Sequence, residues 1–357
     1  MHTSPAATTT SPTPTPSSLA PSPWRPRARA RCCRARSSIS RFTGSTRPRR
    51  WCGRQEGAAI LTANTKLAID AALADLAFER GDYPTAKKLI DRLAREDRSS
   101  TNSFRLANYE WHLGDMARAD RLLAEAESLY AGPSDQYRAW FRAQRGDLAL
   151  DRGRYDEALA RYREAEELFS GWWANYARTA RVFAQKGQRE QAIFSYQDLI
   201  SRTNSPEMMD ALAELYAATD DSIPQKRWTE KARKLHLARE ARFPEAAVGH
   251  ELQHYLRLGA DPREAVRLAE RNRDLRPNGD AWTWLAQAYL RAGDATRAGT
   301  AIDRALTLGW KTPEALATAS LIRAAEGKKA EALRLETEAR AKNPDAMGLV
   351  SWLAPEH

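Results

Sequence analysis

Residues 279–305 read Gly279-Asp280-Ala281-Trp282-Thr283-Trp284-Leu285-Ala286-Gln287-Ala288-Tyr289-Leu290-Arg291-Ala292-Gly293-Asp294-Ala295-Thr296-Arg297-Ala298-Gly299-Thr300-Ala301-Ile302-Asp303-Arg304-Ala305. Trp282, Leu285, Ala286 and Tyr289 recur at the spacing of one face of a helix. Gly293 then ends that helix, because a residue without a Cβ takes the left-handed conformation at little cost. A second helix starts two or three residues later. Its small Ala298 lets the paired helices approach closely, and Ile302 and Ala305 continue the same face. The stretch is a helical hairpin.

The hairpin recurs on both sides of this segment. Further turns lie at Gly81-Asp82-Tyr83, Gly114-Asp115-Met116, Gly153-Arg154-Tyr155, Gly187-Gln188-Arg189, Gly259-Ala260-Asp261 and Gly327-Lys328-Lys329. The alanines in the second helices are Ala86, Ala119, Ala158, Ala192, Ala232, Ala265, Ala298 and Ala332, separated by 33, 39, 34, 40, 33, 33 and 34 residues. The two long intervals hold insertions that sit in loops or lengthen a helix. Pro244, Pro277 and Pro344 mark helix exits, since proline cannot continue a helix and restricts the residue before it. Sixteen helices in eight pairs are expected, from 66–79 to 329–341. A short helix near 346–353, with Met347, Leu349, Val350 and Trp352, would cover the last pair.

A period near 34 built on these residues resembles the tetratricopeptide repeat family. Trp282, Leu285, Ala286, Tyr289, Gly293, Ala298, Ile302 and Ala305 carry the likeness best. Gly146, Gly153, Tyr155, Ala158, Tyr162 and Ala165 follow. The segment about 205–242 departs most, having no turn glycine. The resemblance implies an all-α fold, a right-handed superhelical solenoid of about eight helix-turn-helix repeats. The array spans 58–344, with a C-terminal cap over 345–357. For function it implies a binding surface rather than a chemistry, because the family is defined by architecture.

In the family, the inner groove is lined by set positions of each first helix. Register carries these onto Phe104, Asn108 and Trp111; Trp140, Asp147 and Asp151; Ala177, Arg181 and Gln185; His250, His254 and Arg257; and Thr283, Gln287 and Arg291. Two readings stand side by side: solvated residues on a helix face, or a peptide groove whose half in repeats four to seven is basic. The Lys and Asn clamp by which some relatives grip a C-terminal carboxylate is not recognisable.

One string has a catalytic look, His250-Glu251-Leu252-Gln253-His254. In H-E-x-x-H, two histidines one helical turn apart bind zinc and the glutamate acts as base. Here helical hairpins flank the string on both sides and no third ligand is obvious; Glu264 and Glu270 are near only along the chain. The favoured expectation is two groove-facing histidines beside a surface glutamate, with no metal site and no cofactor. A zinc metallopeptidase centred on His250, Glu251 and His254 is the alternative. No phosphate-binding Gly-rich loop and no Gly-x-Ser-x-Gly elbow occurs. The eleven tryptophans fall mostly at repeat core positions or helix starts, including Trp172 and Trp173, which favours packing over a ligand cage.

Charge separates the chain into two parts. The 357 residues carry a formal net charge of +10. Residues 1–59 contribute all of it, with eleven arginines against Glu56, leaving 45 basic and 45 acidic residues beyond. A neutral body lacks the electrostatic footprint of a duplex binder, so nucleic acid is not the expected partner. Residues 1–57 lack the apolar content to offset the entropy of ordering and are expected to be disordered. They read in three ways: the product of a wrong start or reading frame, a basic tail, or an organelle transit segment. Cys32, Cys33 and Cys52 all lie there, so the body has no disulfide framework and no thiolate metal site. No apolar run is long enough to span a membrane. The compartment is not fixed: cytoplasm is the default, and export follows if an upstream start supplies a signal. The expected function is a scaffold that binds a segment of an unidentified protein partner in the concave groove, without enzymatic activity.

Overall fold

The computed structural model describes residues 63–113, 115–259 and 261–353. Among them are sixteen α-helices, one 3₁₀ helix and no strand. The helices pair as α1 (Ala63–Glu79) with α2 (Tyr83–Glu96), α3 (Ser100–Leu113) with α4 (Met116–Ser128), α5 (Asp135–Asp151) with α6 (Tyr155–Leu168), and α7 (Trp173–Gln185) with α8 (Arg189–Thr203). The second half repeats the scheme: α9 (Pro206–Ala217) with α10 (Ser222–Arg242), α11 (Pro244–Arg257) with α12 (Pro262–Leu275), α13 (Gly279–Arg291) with α14 (Ala295–Thr307), and α15 (Pro313–Ala325) with α16 (Lys329–Lys342). The 3₁₀ helix Ala346–Leu353 closes the stack, with Ala346, Val350 and Leu353 buried. Residues 1–57, expected to be disordered, lie outside the described residues.

The turns follow the glycine logic where it applies. Gly293 has φ +79°, its N–H donates to Leu290 O at 3.0 Å, and the Asp294 N–H donates to Tyr289 O at 2.9 Å. Asp294 then accepts from the Arg297 N–H and caps the next helix. Gly81, Gly153, Gly187 and Gly327 adopt the same conformation. Gly259 does not, which corrects the expectation there. It is needed for space instead, since a Cβ would lie 2.6 Å from the Tyr255 ring. In the pair without a turn glycine, Asp220 takes the left-handed position at φ 55°. All eight repeat alanines are buried, so each pair of helices closes over a methyl group. The long intervals are absorbed by 17-residue α5 with the loop before it, and by 21-residue α10.

The superhelix meets itself. The Tyr83 hydroxyl accepts from the Gly279 N–H at 2.8 Å, across 196 residues. One repeat further on, the Trp310 ring, 2% exposed, stacks on Tyr83 (centroids 5.6 Å apart) and on His112 (4.8 Å), with Phe78 at its edge. Leu113 faces Gly309, and another repeat on, Gly153 faces Asn343 and Pro344. The turn edge of repeats one to three therefore rests on the loop edge of repeats six to eight. Nearest-neighbour stacking alone would not bring these together.

Candidate partner-binding face and the histidine cluster

The inner helices of repeats two to four carry one set of expected groove residues. Half-buried Phe104 and Trp140 pack ring to ring at 4.6 Å, and Asn108 lies half-buried on the same helix as Phe104. Trp111 is buried, and its indole N–H donates to Asp151 at 2.9 Å. Asp147 accepts from the Tyr162 hydroxyl at 2.8 Å and from Arg178 Nε at 2.9 Å. Ala177 is half-buried, whereas Arg181 and Gln185 are exposed.

Arg181 is exposed on α7, the first helix of repeat four. Solvent reaches it, yet the protein packed around it is the largest influence on its titration. That burial acts to lower its pKa, and the charges of Asp151 and Asp147 outweigh it, so the guanidinium ends above its ordinary value. Burial likewise pushes the Asp151 carboxyl up to about 6, with Arg181 opposing. Self-contact brings two further acids to this region. Asp280 is pushed up to about 7, first by burial and then by the charges of Glu314 and Asp151.

The expected basic half in repeats four to seven is not built. Arg257 pairs with Glu214 at 3.0 Å and lies over the Trp352 ring. Arg291 donates to the Leu256 carbonyl and lies over the same ring. Gln287 is fully buried and donates to Glu314 at 2.9 Å and to Thr318 at 3.1 Å. Thr283, also buried, donates to the Gly279 carbonyl. Alanine-rich α13 and α15 let the inner helices close up, so side chains that would line a wide groove pack between helices instead. Of the arginines expected there, Arg181 alone makes no ion pair or hydrogen bond among the described residues.

The His250–His254 string comes apart in three dimensions. His250 is 57% exposed at its side chain, with Nδ1 3.2 Å from Glu207. His254 is buried, and its Nδ1 lies 2.7 Å from Asp210 Oδ1. Glu251, expected at the surface, is 0% exposed. Burial pushes its carboxyl up to about 7, with the charges of Glu240 and Glu264 adding to the effect. The two histidines thus turn to different carboxylates, and the peptidase alternative loses its ligand pair.

His254 joins a cluster that sequence reasoning missed. Asp210 of α9 also meets His236 of α10, with Oδ2 2.8 Å from Nε2, and the two imidazole centroids lie 5.3 Å apart. All three residues are buried. Burial acts to raise the Asp210 pKa, but the hydrogen bonds from His236 and His254 hold it below its usual value. The partners are 26 and 44 residues from Asp210, so no local motif announces them. The only signal is the stacking of successive repeats.

No helix among the described residues is long and apolar enough to cross a membrane. A comparison with curated proteins finds no significant match. Among solved structures, the chain is similar to a tetratricopeptide repeat protein from Parabacteroides merdae, with 17% identity, TM-score 0.41, and coverage of 72% of this chain and 99% of that one. It is also similar to pilF of Pseudomonas aeruginosa, with 17% identity, TM-score 0.41, and coverage of 63% and 93%. At TM-scores this low, neither likeness bears on function. Residues 71–142, 143–206 and 252–313 match the tetratricopeptide repeat family, more than half of the sequence. With helical hairpins closed over buried alanines along the whole described array, the chain belongs to the tetratricopeptide repeat family.

Proposed function

We propose that this chain is a protein-interaction scaffold that binds a partner segment against the inner face of repeats two to four. The observation that carries the reading is Arg181, a solvent-reached guanidinium without an ion pair, under the electrostatic influence of Asp151 and Asp147. Exposed Gln185 lies one turn along the same helix, and half-buried Trp140 and Phe104, one and two repeats away, supply apolar contact area. A carboxylate on the partner would pair with Arg181 in a site partly shielded from water, where such a pair is worth more than at an open surface.

A photo-crosslinker at Gln185 tests the proposal. Partner capture is expected with Arg181 intact and is expected to fall at least tenfold with Arg181→Glu, while far-UV helicity is unchanged. Equal capture by both forms would remove the inner face as the binding site.

A further inference from the structure

We propose that Asp210, His236 and His254 hold one divalent transition-metal ion of the zinc class. Each residue can offer one ligand atom such that all three lie within 4.8 Å of one another, the one such grouping of histidine, cysteine or acidic residues among those described. Two imidazole nitrogens and one carboxylate oxygen form a donor set that zinc favours. Ligands about 2.0–2.2 Å from a tetrahedral ion stand roughly 3.3 Å apart. Asp210 meets the two rings through different oxygens, at 2.8 and 2.7 Å; these separations would widen by about half an ångström, and the longest, within 4.8 Å, would close toward the same spacing.

Asp210 satisfies one nitrogen of each ring, while His236 Nδ1 and His254 Nε2 are buried with no hydrogen-bond partner. Both residues are 1% exposed, so solvent does not reach them freely. A buried carboxylate attracts a cation and repels an anion. Glu207 precedes Asp210 by one turn, and exposed His250 precedes His254 by one turn, so a second carboxylate–imidazole pair neighbours the cluster with its histidine in solvent.

The ion would tie α9, α10 and α11 together. That junction joins the pair with no turn glycine and an overlong second helix to the pair that follows it. Glu251 is outside the cluster, so the ion would have no general base and its role would be structural. The site is independent of the inner-face binding reading.

Purified full-length protein, stripped with a chelator and titrated with cobalt(II), tests the proposal. One cobalt per chain is expected, with a visible ligand-field band that zinc abolishes. His236→Gln is expected to lose the band, and His250→Ala to keep it. Wild-type protein that shows no band at stoichiometric cobalt would overturn the proposal whether or not the variants fold. So would a band that survives His236→Gln with thiolate-to-cobalt charge transfer, which would place the metal on the N-terminal cysteines.

Discussion

At Gly279 a Cβ would stand 2.0 Å from Cγ of Trp310, whereas at Gly293 it would meet nothing within 4 Å. The two glycines are required for different reasons, space at the first and backbone conformation at the second, where φ is +79°. Gly279→Ala is therefore expected to cost about 1–3 kcal/mol, the usual range for overpacking. Gly293→Val should cost about 1–3 kcal/mol through strain at positive φ. Equilibrium denaturation checks both, and a wild-type midpoint for Gly279→Ala would show that Trp310 yields freely. Asp280, beside the same seam, gives a pH signature. Its carboxyl is raised to about 7 in the folded chain, so the folded state binds the extra proton between about pH 4 and 7. Its contribution is fully present below the unfolded pKa and is lost as pH rises through the folded one. Asp280→Asn should gain stability over wild type by roughly 1 kcal/mol or more as pH rises from 4 to 8. Parallel stability profiles for the two proteins would show that the carboxyl titrates normally.

Between helices, alanine decides how close each pair comes, and the last pair needs a cover. The 3₁₀ helix Ala346–Leu353 supplies it through buried Ala346, Val350 and Leu353, and Trp352 lies under Arg257 and Arg291. Truncation after Pro344 would expose that apolar edge and release both guanidinium groups from their aromatic platform. A fall of several degrees in the thermal midpoint is expected, since roughly 1 kcal/mol corresponds to 2–4 °C in a domain somewhat smaller than this array. An unchanged midpoint would show that the array is covered without this segment.

Over the whole molecule, the seam changes how stability is shared. In an open solenoid, each repeat answers only to its neighbours. Here Trp310 joins Phe78, Tyr83 and His112 of the first two repeats to the far end of the array. Trp310→Ala should cost about 3–5 kcal/mol, as large core truncations do. Hydrogen exchange should show lost protection in α1 and α2 as well as in α13 to α15. Loss confined to α13 to α15 would mean that the seam contributes little. His112, whose pKa burial lowers to about 4, is neutral at ordinary pH and suits this stacked, dry position.

Much of the fold was legible in the chain because its determinants are local and periodic. Gly293 stops a helix by its own φ, Ala298 admits a neighbour by its own size, and the period near 34 places both again and again. Every α-helix end falls within three residues of the boundary read from the sequence. Register placed Arg181 and Gln185 on a first helix, and both are exposed there. What register could not supply was curvature. Only the tertiary structure turned Gln287 and His254 inward, spent Arg257 and Arg291 on Trp352, and brought Asp210, His236 and His254 into one cluster. The physical reason is that small rotations between successive repeats add up along the array. Whether distant edges meet depends on that sum, and no single repeat encodes it.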